Sequence, residues 1–257
     1  MRNVFVETSN FARFTSALKR LDERGAQEAC MVVLDGKPGL GKTTTVSRWV
    51  AQTGSIYLRA QRGWDYNWMM QDLLTELSVN HNQFRGRRAR FERVTAELRE
   101  RSQRAMIEGK TFGLVIDECD QVSGRAEIME GIRGITDIQF MPTILVGMGQ
   151  LRDNLRRFPQ IESRAPNKIE FLPASVSDTA ELIKGRCDVP VAADLVGFVA
   201  KASQGFNREI LDAIKHIESF GRRYDFGDDG VTLSDMSKQV IMSDRKSGKD
   251  IIVPEAH

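Results

Sequence analysis

A parallel, doubly wound α/β sheet is predicted for this chain, and three observations predict it. Five short strand-like runs occur at 31–34, 55–58, 112–116, 143–147 and 167–171. Segments with helical spacing of apolar residues separate them, and strands alternating with helices imply a parallel sheet. A glycine-rich turn, Gly36 to Thr43, joins the first strand to the helix that follows it. The third run, Phe112-Gly113-Leu114-Val115-Ile116, is continuously apolar, as strands buried on both faces tend to be.

Each element has its own signal. Residues 7–23 read as an amphipathic helix with Phe11, Phe14, Leu18 and Leu21 on one face. Met31-Val32-Val33-Leu34 is the first strand, and 44–52 the helix after it. Ser55-Ile56-Tyr57-Leu58 is the second strand. Between 64 and 79, apolar residues fall at Trp68, Met69, Leu73, Leu74 and Leu77, which is helical spacing. A basic turn at 85–88 leads into a helix at about 89–108 with Phe91, Val94, Leu98 and Ile107 facing inward. Helices at about 125–134 and 151–158 flank the fourth strand, Thr143 to Gly147, and the fifth is Asn167 to Phe171. After Pro173 no strand-like run recurs before the tail. Helices are expected at 177–186, 191–202 and 207–220, with a short one at 232–241. The expected domains are a lead-in at 1–29, a nucleotide-binding domain at 30–173, a helical lid at 174–242 and a polar, frayed tail at 243–257.

Gly36-Lys37-Pro38-Gly39-Leu40-Gly41-Lys42-Thr43 matches the phosphate-binding pattern G-x-x-x-x-G-K-[ST] in full. The turn lets backbone N–H groups close around phosphate oxygens, and the helix start adds unpaired N–H groups and a positive dipole end. Gly36, Pro38, Gly39, Gly41, Lys42, Thr43 and Thr44 are therefore expected to hold a nucleoside triphosphate, ATP. Lys42 reaches the outer phosphates, and the Thr43 hydroxyl ligates Mg²⁺. Asp117-Glu118 ends the third strand. In that place Asp117 would join the Mg²⁺ shell, and Glu118 would orient or deprotonate the attacking water.

At 257 residues, with 41% hydrophobic and 28% charged residues, the composition is that of a soluble globular protein. No apolar run has the length of a membrane span, and the first residues lack a signal-peptide core. Cys30, Cys119 and Cys187 lie far apart without metal-ligand spacing. They read as buried thiols of a reducing compartment, so a cytoplasmic protein is expected. Net charge is only +2, yet 85–104 holds eight arginines against three glutamates, net +5. A local basic face on a near-neutral chain implies an anionic partner.

The order of these motifs resembles an AAA+ ATPase over about 30–220: P-loop, strand, Asp117-Glu118, strand, arginine, fifth strand, helical lid. The resemblance implies a five-stranded parallel sheet with a small C-terminal helical lid. It gives two further residues a role. Arg164, just before the fifth strand, matches the arginine finger that reaches the γ-phosphate of a neighbouring subunit. Arg208, in Gly205-Phe206-Asn207-Arg208, matches the lid arginine that contacts nucleotide in cis. Both roles need a fixed multi-donor cation. One position departs from the pattern. Where many members place a polar residue after the fourth strand, this chain has Val146-Gly147-Met148-Gly149. Either the contact is absent or Gln150 approximates it.

The extra helix at 64–79 resembles the initiator-like clade. Ile144-Leu145-Val146-Gly147-Met148, Gln150-Leu151 and the lead-in Glu7-Thr8-Ser9-Asn10-Phe11 resemble the transposition regulators, namely the B protein of phage Mu, TnsC and TniB. That likeness implies ATP-dependent homo-oligomers, filaments on double-stranded DNA, delivery of target DNA to a transposase, and release by hydrolysis. Arg85, Arg87 and Arg88, then Arg59 and Arg62, are the candidate phosphate-backbone contacts. The competing reading of the charge run is a solvated helix face. Trp64, Tyr66 and Trp68 read as packing that anchors the extra helix rather than as a base-stacking platform. The alternative function is a signalling or secretion-associated P-loop ATPase without a DNA role. A small-molecule kinase is disfavoured by Asp117-Glu118, by Arg164 and by the lid.

Overall fold

A computed structural model of the chain describes residues 1–224, 226–227, 229–245 and 247–255. His257, one of the three histidines, and the last residues of the expected tail lie outside the described residues. Contacts divide the chain into two units. One comprises Met1–Arg13, Pro38–Gly41 and the chain from Leu172 onward; the other comprises Phe14–Lys37 and Lys42–Phe171. The expected lead-in at 1–29 is therefore not a unit of its own.

The second unit is built on a five-stranded, all-parallel sheet in the order β2-β3-β4-β1-β5. The strands are β1 (Met31–Gly36), β2 (Ile56–Arg59), β3 (Leu114–Asp117), β4 (Thr143–Val146) and β5 (Asn167–Phe171). The three inner strands β3, β4 and β1 are buried at every residue, whereas the edge strands β2 and β5 alternate. That difference is the reason Val32-Val33-Leu34 reads as solid apolar sequence and Asn167-Lys168-Ile169-Glu170-Phe171 does not.

The unit's helices pack around the sheet. They are α2 (Lys42–Thr53), α3 (Tyr66–Glu76), α4 (Arg87–Ile107), α5 (Ala126–Asp137), α6 (Gln150–Leu155) and α7 (Pro159–Glu162). Helix α1 (Ser9–Asp22) starts in the first unit and ends in this one. The single helix expected at 151–158 is two short ones, because Pro159 opens a new helix at its first turn. Asp65 caps α3 by accepting the Trp68 N–H at 2.8 Å. Trp64 is fully buried and donates its indole N–H to Asp72 at 2.7 Å, so it anchors the extra helix as read from the sequence. Trp68 is exposed. Helix α4 begins earlier than expected, placing Arg87 and Arg88 in its first turn after Gly86. Val94 and Leu98 are buried, but Ile107 is 84% exposed at the helix end and Ala105 takes the inward place.

The first unit packs α8 (Val176–Arg186), α9 (Ala193–Ala202) and α10 (Asn207–Gly221) through Leu182, Ile183, Leu195, Val199, Ile210 and Ile214. Helix α8 starts at a capping box in which Ser175 and Asp178 bond each other's backbone N–H. The end of the chain differs from expectation. No helix occupies 232–241; turns lead instead into an antiparallel hairpin, β6 (Val240–Ser243) and β7 (Asp250–Ile252), where a frayed tail was expected. The physical reason is three buried apolar anchors in a mostly polar stretch: Ile241, Met242 and Val253 are buried in the α10 core.

All three cysteines are free and buried. Burial pushes the Cys30 thiol up to about 11 and the Cys119 and Cys187 thiols up as well, so none is a ready thiolate. Among the described residues, no helix is long and apolar enough to cross a membrane.

Candidate nucleotide-binding site

The carboxyl ends of β1, β4 and β3 lie side by side in the sheet, and the candidate site is built there. In an open parallel sheet this is the edge at which loops carry function. Gly36 ends β1 at φ +145°, where a Cβ would lie 2.8 Å from the Phe171 carbonyl oxygen. Only glycine lets the chain turn this close to β5.

Lys42 opens α2 and its side chain is buried. Its ammonium donates to the Gly36 carbonyl and, at 2.9 Å, to the Lys37 carbonyl. Burial lowers its pKa, against the opposing pull of Asp35, Asp117 and Asp120. Thr43 donates its hydroxyl to Asp117 Oδ2 at 2.8 Å. The same oxygen accepts the Tyr57 hydroxyl at 2.8 Å, and Oδ1 accepts the Glu118 N–H at 2.8 Å. Asp117 is 4% exposed, so these donors stand in for water around its charge.

Glu118 follows at φ +54°, a left-handed turn that swings its side chain off the strand line. Its carboxylate is held by the Arg59 guanidinium and by the Gln121 amide. Two carboxylates not marked in the sequence join the constellation. Asp35 accepts the Gly36 and Gly149 N–H groups, each at 2.7 Å, and pairs with Arg152 Nε at 3.5 Å. Asp120 accepts the Met148 N–H at 3.2 Å, and burial raises its pKa. These two carboxylates hold the loop after β4. Gln150 is exposed there, and no side-chain bond from it to Asp117 or Glu118 exists among the described residues. Tyr57, Asp35 and Asp120 were missed because a single tyrosine or aspartate within or just after a strand carries no motif.

The remaining expected residues are placed as follows. Gly41 has φ +85°, and a Cβ there would lie 2.8 Å from Asn207 Nδ2. The Asn207 N–H donates to the Gly39 carbonyl at 3.0 Å. Pro38 and Thr44 are exposed beside these residues in sequence, and Arg208 is exposed in the first turn of α10. Arg164 pairs bidentately with Asp137, at 3.3 Å to each oxygen. Arg87 pairs with Glu127 and stacks on Tyr66, while Arg88 pairs with Glu92 at 2.7 Å. Arg62 and Arg85 are exposed and form no ion pair among the described residues.

The donor set fits a polyphosphate with a hard divalent cation: a glycine turn, a buried ammonium, and a hydroxyl facing a carboxylate. Mg²⁺ takes few protein ligands and keeps the rest of its shell for phosphate and water. Among the described residues no group of three or more His, Cys, Asp or Glu is arranged to hold a metal by itself.

Fold and site together define a P-loop nucleotide-binding protein of the AAA+ class. A family model described as an AAA domain matches residues 24–155, just over half of the 257-residue chain. The chain belongs to the AAA domain family. No curated protein matches it. Many solved structures share its fold. The Cdc6p protein of Pyrobaculum aerophilum is 13% identical, with a TM-score of 0.59 over 92% of this chain and 68% of that one. The ORC2 protein of Aeropyrum pernix, solved with ADPNP and ADP, is 12% identical, with a TM-score of 0.63 over 90% and 68%. The ORC1 protein of Aeropyrum pernix, solved in complex with DNA, is 21% identical, with a TM-score of 0.54 over 87% and 63%.

Proposed function

We propose that this AAA+ chain is a Mg²⁺-dependent ATPase that assembles on duplex DNA in its ATP form and disassembles on hydrolysis. In the finer reading it is a transposition regulator that selects target DNA for a transposase. The observation that carries the ATPase reading is the Thr43–Asp117 pair, set beside Lys42 and Glu118 at one sheet edge. Gly36, Pro38, Gly39, Gly41, Lys42, Thr43 and Thr44 hold the phosphates, and Arg208 contacts nucleotide from the lid. Mg²⁺ at Thr43 and Asp117 would neutralise phosphate charge. Glu118 accepts a proton from the water that attacks the γ-phosphorus, and ADP leaves. For that step Glu118 must exchange its Arg59 partner for the water.

The DNA role is supported by the net +5 of 85–104 and by the exposed Arg62 and Arg85. Exposed ion pairs such as Arg88–Glu92 are weak and yield readily to a phosphate. The extra helix α3 and the resemblance to transposition regulators support the finer reading. One observation favours the alternative without DNA: Arg59, Arg87 and Arg88 already face carboxylates.

Binding to a labelled random-sequence duplex, measured with ATP, with ADP and without nucleotide across a salt series, decides between them. ATP-dependent binding with a steep salt slope supports the DNA assembly. ATP binding without any DNA binding leaves the non-DNA ATPase.

A further inference from the structure

The β6–β7 hairpin places an arginine where no motif put one. Ile241 and Met242 bury β6 against α10, and the Ser243 N–H donates to Asp212 Oδ2 at 3.1 Å. The turn is locally closed: Asp244 Oδ1 accepts the Ser247 N–H at 2.7 Å and hydroxyl at 2.6 Å. Arg245 leaves this turn toward the start of α10. Its guanidinium carbon stands 4.3 Å from the centroid of the Phe206 ring. Its Nε lies 3.9 Å from Glu209 Oε1. Its Nη1 lies 3.8 Å from the position a Cβ would take on Gly39, and Arg208 Cβ lies 3.9 Å from the same position. Ring, carboxylate and phosphate-binding loop thus surround one guanidinium. Of its five N–H donors only that on Nε faces a protein partner; the outer four have no hydrogen bond among the described residues.

We propose that Arg245 is a second cation of the nucleotide site acting within the same chain, delivered by the C-terminal hairpin and binding the polyphosphate of the nucleoside triphosphate. This rests on reading Gly36–Thr43 as the nucleotide loop. The planar fork suits phosphate oxygens, and stacking on Phe206 pre-orders it, so less side-chain entropy is lost on binding. Glu209 holds the cation at a distance weaker than a hydrogen bond, and its other oxygen, Oε2, has no hydrogen-bond partner among the described residues. A phosphate can therefore recruit Arg245 without breaking a strong pair. The hairpin then reports nucleotide occupancy, since its turn residue and the loop share the ligand.

The test uses the full chain with Mg²⁺ and either ATP or its non-hydrolysable imido analogue. Arg245→Ala should weaken analogue binding about tenfold or more, the loss expected for one hydrogen-bonded charge. Arg245→Lys should recover part of it, and Phe206→Leu should lose part. Hydrogen exchange of the 243–250 amides should slow on adding analogue to the wild-type chain, and should not respond in Arg245→Ala. Unaltered affinity in Arg245→Ala together with nucleotide-indifferent exchange of the hairpin would overturn the proposal while leaving the loop reading intact. Absence of binding by the wild-type chain would sink both, and Lys42→Ala supplies the non-binding baseline.

Discussion

Asp117 shows how much of the site rests on one buried carboxylate. Thr43, Tyr57 and the Glu118 N–H all point at it. Tyr57 is the donor with no part in a motif, so its removal tests whether the carboxylate needs this solvation. Tyr57→Phe leaves shape and burial unchanged and deletes one hydrogen bond to a charge, at a cost of about 1.5–3 kcal/mol. Urea unfolding without nucleotide should show that loss, with an unchanged slope; full retention of stability would mean that water replaces the hydroxyl. Burial, and then the bond to Asp117, raises the Tyr57 phenol well above its ordinary pKa, so the donor persists across the whole working pH range.

Under the proposed roles, Glu118 and Arg59 separate binding from chemistry. Glu118→Gln should keep ATP affinity and lower the single-turnover rate by about 10²–10⁴, the usual worth of a positioned base. Arg59→Ala should change stability little, since Arg59 is exposed and its partner only half-buried. It should also raise hydrolysis in the absence of DNA by releasing the Glu118 carboxylate. A fall in hydrolysis instead would mean that Arg59 orients Glu118 rather than restraining it.

Among the elements, the start of α8 has the clearest pH signature. Burial alone would raise the Asp178 carboxyl. Bonds from the N–H and hydroxyl groups of Ser9 and Ser175 outweigh burial and hold its pKa below the ordinary value. The folded-state pKa is depressed, so the stabilisation is present above the unfolded value, about 4. It is lost as pH falls through the lower folded value. Asp178→Asn should therefore be less stable than wild type at neutral pH, by about 1–2 kcal/mol for a lost cap. The two proteins should converge in acid. A difference that persists at pH 2 would assign the effect to packing rather than charge.

Elements with period and length were legible in the sequence. The first four strands, the P-loop and the Asp117-Glu118 end of β3 follow from apolar runs and from one full motif, and β5 follows from its alternation. The β6–β7 hairpin was not legible, because Ile251-Ile252-Val253 is too short a run to outweigh its polar surroundings. The start of α4 was read late, because arginines in a first turn oppose the helix dipole. The structure offsets them with Glu92 and Glu127, and Glu127 lies on a different helix. Contacts made across sequence distance, such as Tyr57 to Asp117 and Asp35 to Gly149, carry no local pattern at all.

At the scale of the whole molecule, the place of Arg164 constrains how any finger role can work. Its carbonyl accepts the Met31 N–H at 2.8 Å, so it sits at the amino end of β1. Lys42 lies beyond the carboxyl end of that strand. Six residues of strand span about 20 Å, far more than an arginine side chain reaches. Arg164 therefore cannot serve the nucleotide loop of its own chain, and a catalytic role for it requires a second copy. It is meanwhile tied to Asp137, and a neighbour's phosphate must draw it away. A head-to-tail ring or filament supplies this geometry, since each interface then joins one loop to one finger. Lys42→Ala and Arg164→Ala should each be inactive alone: the first unable to bind ATP, the second able to bind but not to hydrolyse. Mixed in equal amounts they should regain hydrolysis, up to about a quarter of the wild-type rate, because that share of random interfaces pairs an intact loop with an intact finger. Hydrolysis by Arg164→Ala alone at the wild-type rate, or no recovery in a mixture that still co-assembles, would place the finger elsewhere on the chain.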